Sequence, residues 1–119
     1  MDNQATNTQE NNEVSLFFRA MDENELYMAL ETQMFALHPE RAQVKYFGLN
    51  LNETLAFANH PINSQLVGIV EARVHADFLT KIENSIQVDT FIFKSGTVVV
   101  NAQQLASLNA HIISIRQVY

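Results

Sequence analysis

A single arginine closes an apolar run in EVSLFFRAMDENELYMALETQ (13–33): Val14 to Phe18 leads into Arg19, and a helix start follows at once. A guanidinium in that place either marks a strand surfacing into solvent or grips an anionic ligand, because its planar fork of donors matches phosphate and carboxylate oxygens. Three other places carry groups that could join it. They are the segment YFGLNLNETLAFANH (46–60), with the polar Asn50 and Asn52; the stretch SIQVDTFIF (85–93), with Gln87 and Asp89; and the run TVVV, opened by Thr97. Each also has a plain structural explanation. Asn50 and Asn52 are turn and cap residue types, Tyr46 and Phe47 are core types, and Glu71 alternates onto the polar side of its strand. Glu23 and Glu25 lie in the first turn of a helix, where carboxylates offset the helix dipole.

Several chemistries have no support. His38, His60, His75 and His111 are scattered, without a pair at helical ligand spacing, and the chain has no cysteine, so neither a metal site nor thiolate chemistry is expected. The three glycines are isolated, which leaves no phosphate-cradling G-x-x-x-x-G-K loop and no G-x-G-x-x-G. There is no G-x-S-x-G nucleophile elbow. Seven basic against 13 acidic side chains give a net charge of −6, which argues against holding nucleic acid by phosphate neutralisation.

The elements that must position these groups follow from periodicity and punctuation. Residues 1–12 are polar with nothing to bury and read as a flexible tail; residues 13–119 read as one α+β domain. SLFFR is a short aromatic strand. Asp22, three residues before Glu25, caps a helix running to about Thr32, with Met21 and Leu26 placed as a hydrophobic staple and Leu26, Ala29 and Leu30 on one face. Pro39 turns the chain, VKYFGLNL is a strand broken at Gly48, and Asn52 is the expected N-cap of a short helix ending before Pro61. In QLVGIVEARV, Val70, Ala72 and Val74 face one way and Glu71 and Arg73 the other. ADFLTKIEN is a helical turn. VDTFIF and TVVV flank a hairpin turn at Lys94-Ser95-Gly96, Asn101 caps AQQLASLNAHI, and IISIRQVY is a closing strand. Strands that follow one another or are joined by short helices predict a curved, mostly antiparallel sheet. No apolar run approaches the ~20 residues needed to span a bilayer, and the acidic N-terminal stretch is unlike a signal peptide, so a cytoplasmic setting, or delivery into a target cell's cytosol, is expected.

The arrangement resembles the ADP-ribosyltransferase-like fold, in particular the small bacterial and phage toxin-type members of its arginine-bearing class. LFFRAMDENELYMALET is similar to the family's opening strand and helix, written Arg-x-Met-x-x-x-Glu-Leu. KYFGLNLNETLAFANH is similar to the strand-plus-helix segment that follows, and LVGIVEARVHADFL with FKSGTVVVNAQQLASLNAHIISI to the later strands and the helix-strand ending. The resemblance implies a split sheet with a cleft that binds NAD as substrate. It places Arg19 at the dinucleotide's phosphate or ribose region, with Tyr46, Phe47 and Asn50 beside it. The family's small polar run corresponds to Gly48, Leu49 and Asn50 here, of which only Asn50 could supply a comparable hydrogen bond. The family's catalytic glutamate falls at Thr97, which carries no charge; Gln87 and Asp89 are the substitutes if the strands register differently. Three functions remain open: an active mono-ADP-ribosyltransferase acting on a protein or other target, a non-catalytic relative used as a binding module, and a small acidic interaction protein such as a toxin neutraliser or phage inhibitor.

Overall fold

The computed structural model describes residues 13–37, 44–82, 86–87 and 92–119. The elements run β1 (Val14–Met21), α1 (Glu23–Thr32), β2 (Val44–Gly48), α2 (Leu51–Ala58), a 3-10 turn (Pro61–Asn63), β3 (Gly68–His75), α3 (Asp77–Lys81), β4 (Ile86–Gln87), β5 (Thr97–Asn101), α4 (Ala102–His111) and β6 (Ile112–Gln117). The six strands form a sheet in the order β4-β5-β2-β1-β3-β6, and every described pairing is antiparallel. The chain is an α+β domain, as expected, and the tail proposed at 1–12 lies outside the described residues.

Burial explains the order. β1 and β3 carry apolar side chains on both faces and lie side by side in the interior of the sheet. On one face Phe17 and Met21 of β1, Phe47 of β2 and Val70, Ala72 and Val74 of β3 meet Ala29 of α1, Phe78 of α3 and Leu108 of α4. On the other, Phe18, Ala20 and Ile69 are covered by Leu51, Leu55 and Phe57 of α2 and by Leu66 and Val118. β1 and β3 pair in unbroken register from Val14↔His75 to Met21↔Gly68, and β2 and β5 from Val44↔Asn101 to Gly48↔Thr97. Between β1 and β2 the register is a single pair, Phe18↔Gly48. The sheet is therefore continuous but opens along a seam between two three-stranded halves.

Capping decides where the helices begin. Asp22 accepts from the Glu25 amide at 2.8 Å, and α4 starts with a reciprocal box in which Asn101 and Gln104 each accept the other's backbone N–H. α2 begins two residues earlier than Asn52 would allow: its cap is Asn50, whose side chain accepts from the Glu53 amide at 2.8 Å. A turn forms at 94–96, as expected. Gly96 N–H closes on Phe93 O, and Thr97 pairs with Gln87; the strand expected over VDTFIF lies mostly outside the described residues. Glu71, expected to face solvent, is half-buried and accepts from Arg116 Nε at 2.9 Å across the β3–β6 pair.

Candidate functional site

Arg19 lies on the strand face of Phe17 and Met21, a core face, at the point where the β1–β2 ladder is lost. A cation there must be neutralised and hydrogen-bonded. Its Nη1 donates to Tyr46 O at 2.9 Å, taking a carbonyl of β2 across the open seam. Its Nε donates to Glu25 Oε2 at 2.6 Å and its Nη2 to Glu25 Oε1 at 3.3 Å, a bidentate grip. Lys45 of β2, only 5 % exposed, donates to the same Oε2 at 2.7 Å. The guanidinium carbon stands 6.0 Å from the centroid of the Phe47 ring, within cation–π range. One carboxylate from the first turn of α1 thus rivets β1 to β2.

The electrostatics follow from that geometry. Burial acts to raise the Glu25 pKa, but the hydrogen bonds and charges of Arg19 and then Lys45 outweigh it and hold the carboxyl below its ordinary value of 4.5. For Lys45, burial comes first and the like charge of Arg19 adds to it; Glu25 and Asp22 oppose them, and the ammonium stays below its ordinary value. Glu25 is the position where a capping-box carboxylate would reach back to the Asp22 amide. Here it turns to the cations instead.

The seam carries a hollow of about 450 Å³, within the range of small-molecule sites. Arg19, Tyr46, Phe47, Gln87 and Thr97 all line it, so the structure brings together five of the residues singled out from the sequence. Asn50 is not among the lining residues. Its side chain is spent on capping α2 and on a 3.2 Å bond to Ser95 Oγ. Asp89 lies outside the described residues. Thr97 is 7 % exposed at the start of β5, with its hydroxyl directed to Gln87 O at 3.4 Å. Gly48 and Thr54 form the floor, and Phe57 and Phe93, with ring centroids 5.4 Å apart, line one wall. A Cβ on Gly48 would collide with Thr54 Oγ1 and lie 3.0 Å from Phe93 Cε1, so glycine keeps the floor open. The 94–96 turn is tied to α2: Glu53 accepts from both the amide and the hydroxyl of Ser95.

A second hollow of about 910 Å³, lined by Met28, Met34, Phe35, Val44 and Lys45, shares Arg19 and Glu25 with the first. The ion pair is the partition between the two. Sequence reasoning missed Glu25 and Lys45 as members of the site. The signal was present in the alternation of β1, where a cation shares a face with Phe17 and Met21 and so requires a buried anion. Among the described residues no group of His, Asp or Glu could hold a metal ion, and no helix is long and apolar enough to cross a membrane. The chain matches no protein-family model, no curated protein and no solved structure.

Proposed function

We propose that this chain is an ADP-ribosyltransferase-like domain that binds NAD in the seam hollow and holds it without transferring ADP-ribose. One observation carries the proposal: Arg19 on β1, Tyr46 and Phe47 on β2 and Thr97 at the start of β5 all line one hollow. These are the places at which the family resemblance puts the phosphate grip, the ribose side and the catalytic carboxylate. Arg19 retains guanidinium N–H groups beyond those given to Glu25 and Tyr46, and they are available to phosphate oxygens. Phe57 and Phe93 offer aromatic faces for a base. The hollow suits a nucleoside-sized part of the ligand, and the rest of a dinucleotide would extend along the open mouth.

Transfer of ADP-ribose needs a carboxylate to stabilise the oxocarbenium-like sugar as nicotinamide leaves. Thr97 offers a hydroxyl only. Glu25 is the one carboxylate among the described lining residues, and two cations already neutralise it. Calorimetric titration with NAD tests the proposal. Saturable binding, weakened in Arg19→Lys because the ammonium lacks the bidentate fork, with no nicotinamide released at high protein concentration, is the expected result. Absence of binding removes the nucleotide role and leaves the small acidic interaction protein, pursued by pull-down. Nicotinamide release that Asp89→Asn abolishes would assign the carboxylate to Asp89 and make the chain an active transferase.

A further inference from the structure

The phosphate grip is occupied by the chain's own anion. Glu25 takes the Nε/Nη2 edge of Arg19, the edge best suited to a bidentate oxyanion, and Lys45 holds Glu25 there from β2. A ligand phosphate must either displace this carboxylate or bind to the remaining N–H groups with Glu25 as a near neighbour. In both cases the cost rises with the negative charge that the ligand brings to Arg19. The other polar groups in the lining, including Thr54, Asn63, Gln65 and Gln87, are neutral. They reward hydrogen bonding and not charge.

We infer that Glu25 is a specificity-determining residue that filters ligands of this cleft by charge, admitting weakly charged nucleosides and nucleotides and rejecting highly charged phosphates. The inference rests on the nucleotide-binding role proposed above. Arg19, Lys45 and Asp22 are the charged groups that bear on Glu25 and its partners, and the two cations are balanced by the two carboxylates. Net attraction for a phosphate is therefore small in the wild type and grows once Glu25 is neutralised. A unit charge about 6 Å from a ligand phosphate, at an effective dielectric between a protein surface and water, corresponds to about tenfold in affinity.

Isothermal titration with adenosine, ADP-ribose and ADP, whose phosphate charge rises in that order, tests the filter in the wild type and in Glu25→Gln. The wild type is expected to bind ADP more weakly than ADP-ribose. Glu25→Gln is expected to gain about tenfold for ADP, less for ADP-ribose, and to leave adenosine unchanged. A merely structural role for Glu25 would shift all three ligands by one factor, and that result overturns the filter. So does a wild type that binds ADP at least as tightly as ADP-ribose, a comparison that needs no variant. Because Glu25→Gln strands a buried lysine, Glu25→Gln/Lys45→Met is titrated beside it, with folding checked by circular dichroism. If none of the three ligands binds any of these proteins, the nucleotide-binding role itself has failed, and the filter with it; binding without charge discrimination removes the filter alone.

Discussion

Removing the charge of Glu25 has a cost that the geometry allows to be worked out. Glu25→Gln leaves Lys45, which is 5 % exposed, without its anion while keeping the shape of the side chain. Breaking a buried pair by removing one partner costs about 3–5 kcal/mol. The Glu25 side chain is 26 % exposed and water relieves part of that penalty, so about 2–3 kcal/mol is expected at neutral pH. In the Lys45→Met background no buried ammonium is left stranded, and the same substitution should cost under about 1 kcal/mol. Urea unfolding of the wild type, both single variants and the double variant closes the cycle, and the predicted coupling is about 1–3 kcal/mol. The effect also has a pH signature. Because the folded-state pKa of Glu25 is depressed, its contribution is fully present above the unfolded carboxylate value, about 4.3. It is lost as pH falls through the lower folded value, since the unfolded chain then binds more protons than the folded one. The gap between wild type and Glu25→Gln should therefore be flat from pH 6 to 8 on the order of the error and close in acid. Single variants that add within about 0.3 kcal/mol, or a gap that widens below pH 4, would refute the rivet.

Three further substitutions probe the rest of the site. Gly48→Ala drives a Cβ into Thr54 Oγ1, which is held by Asn50 O at 2.9 Å; a loss of about 1–3 kcal/mol is expected, largely recovered in Gly48→Ala/Thr54→Ala, and an unchanged urea midpoint in the single variant would show that the floor is soft. Asn109→Ala removes an amide that both donates to Phe35 O and accepts from Phe35 N–H, each at 2.9 Å. About 1–3 kcal/mol should be lost, with faster hydrogen exchange at the Phe35 amide, and unaltered exchange there would mean that water replaces the side chain. Thr97→Glu places a carboxylate at the start of β5 beside the hollow; if the proposed NAD binding holds, slow nicotinamide release beyond any shown by the wild type is expected, and a variant that binds NAD without release would show that position alone does not supply the chemistry.

Local signals were legible where a few neighbouring residues decide the outcome. Asp22 and Asn101 cap their helices as their spacing to Glu25 and Gln104 predicts, and Val70, Ala72 and Val74 share a buried face as alternation requires. The cap of α2 was misplaced by two residues because Asn50 and Asn52 are chemically equal; only the packing of Leu51 and Leu55 against Phe18 and Ile69 selects the register. The turn expected at 94–96 is closed by Gly96 N–H on Phe93 O, but Ser95 also bonds Glu53, 42 positions earlier in the chain, a contact that no window on the sequence contains. The resemblance put Arg19, Asn50 and Asp89 around one cleft; Arg19 lines the hollow, Asn50 is spent on the cap of α2 and on Ser95, and Asp89 lies outside the described residues. Glu25 was read as a dipole-compensating residue, and its position is correct for that role, but its side chain serves cations 6 and 20 positions away.

The seam explains why one arginine can hold the sheet together and still line a hollow. A continuous β1–β2 ladder would occupy Tyr46 O with a backbone N–H and bury the strand edge. Because the ladder stops at Phe18↔Gly48, that carbonyl is bonded by Arg19 instead, and the guanidinium sits where the hollow meets the partition behind it. Tyr46 O and Glu25 fix the direction of the guanidinium, which would lower the ordering cost of binding the proposed nucleotide. The same arrangement disfavours transfer chemistry through Glu25. Pulling that carboxylate toward a developing positive charge would strip the anion from Lys45, and a stranded buried ammonium costs about as much as one preorganised electrostatic contact supplies to a transition state. Among the described lining residues, then, the hollow leaves no carboxylate free to help break the glycosidic bond of the nucleotide proposed to bind there.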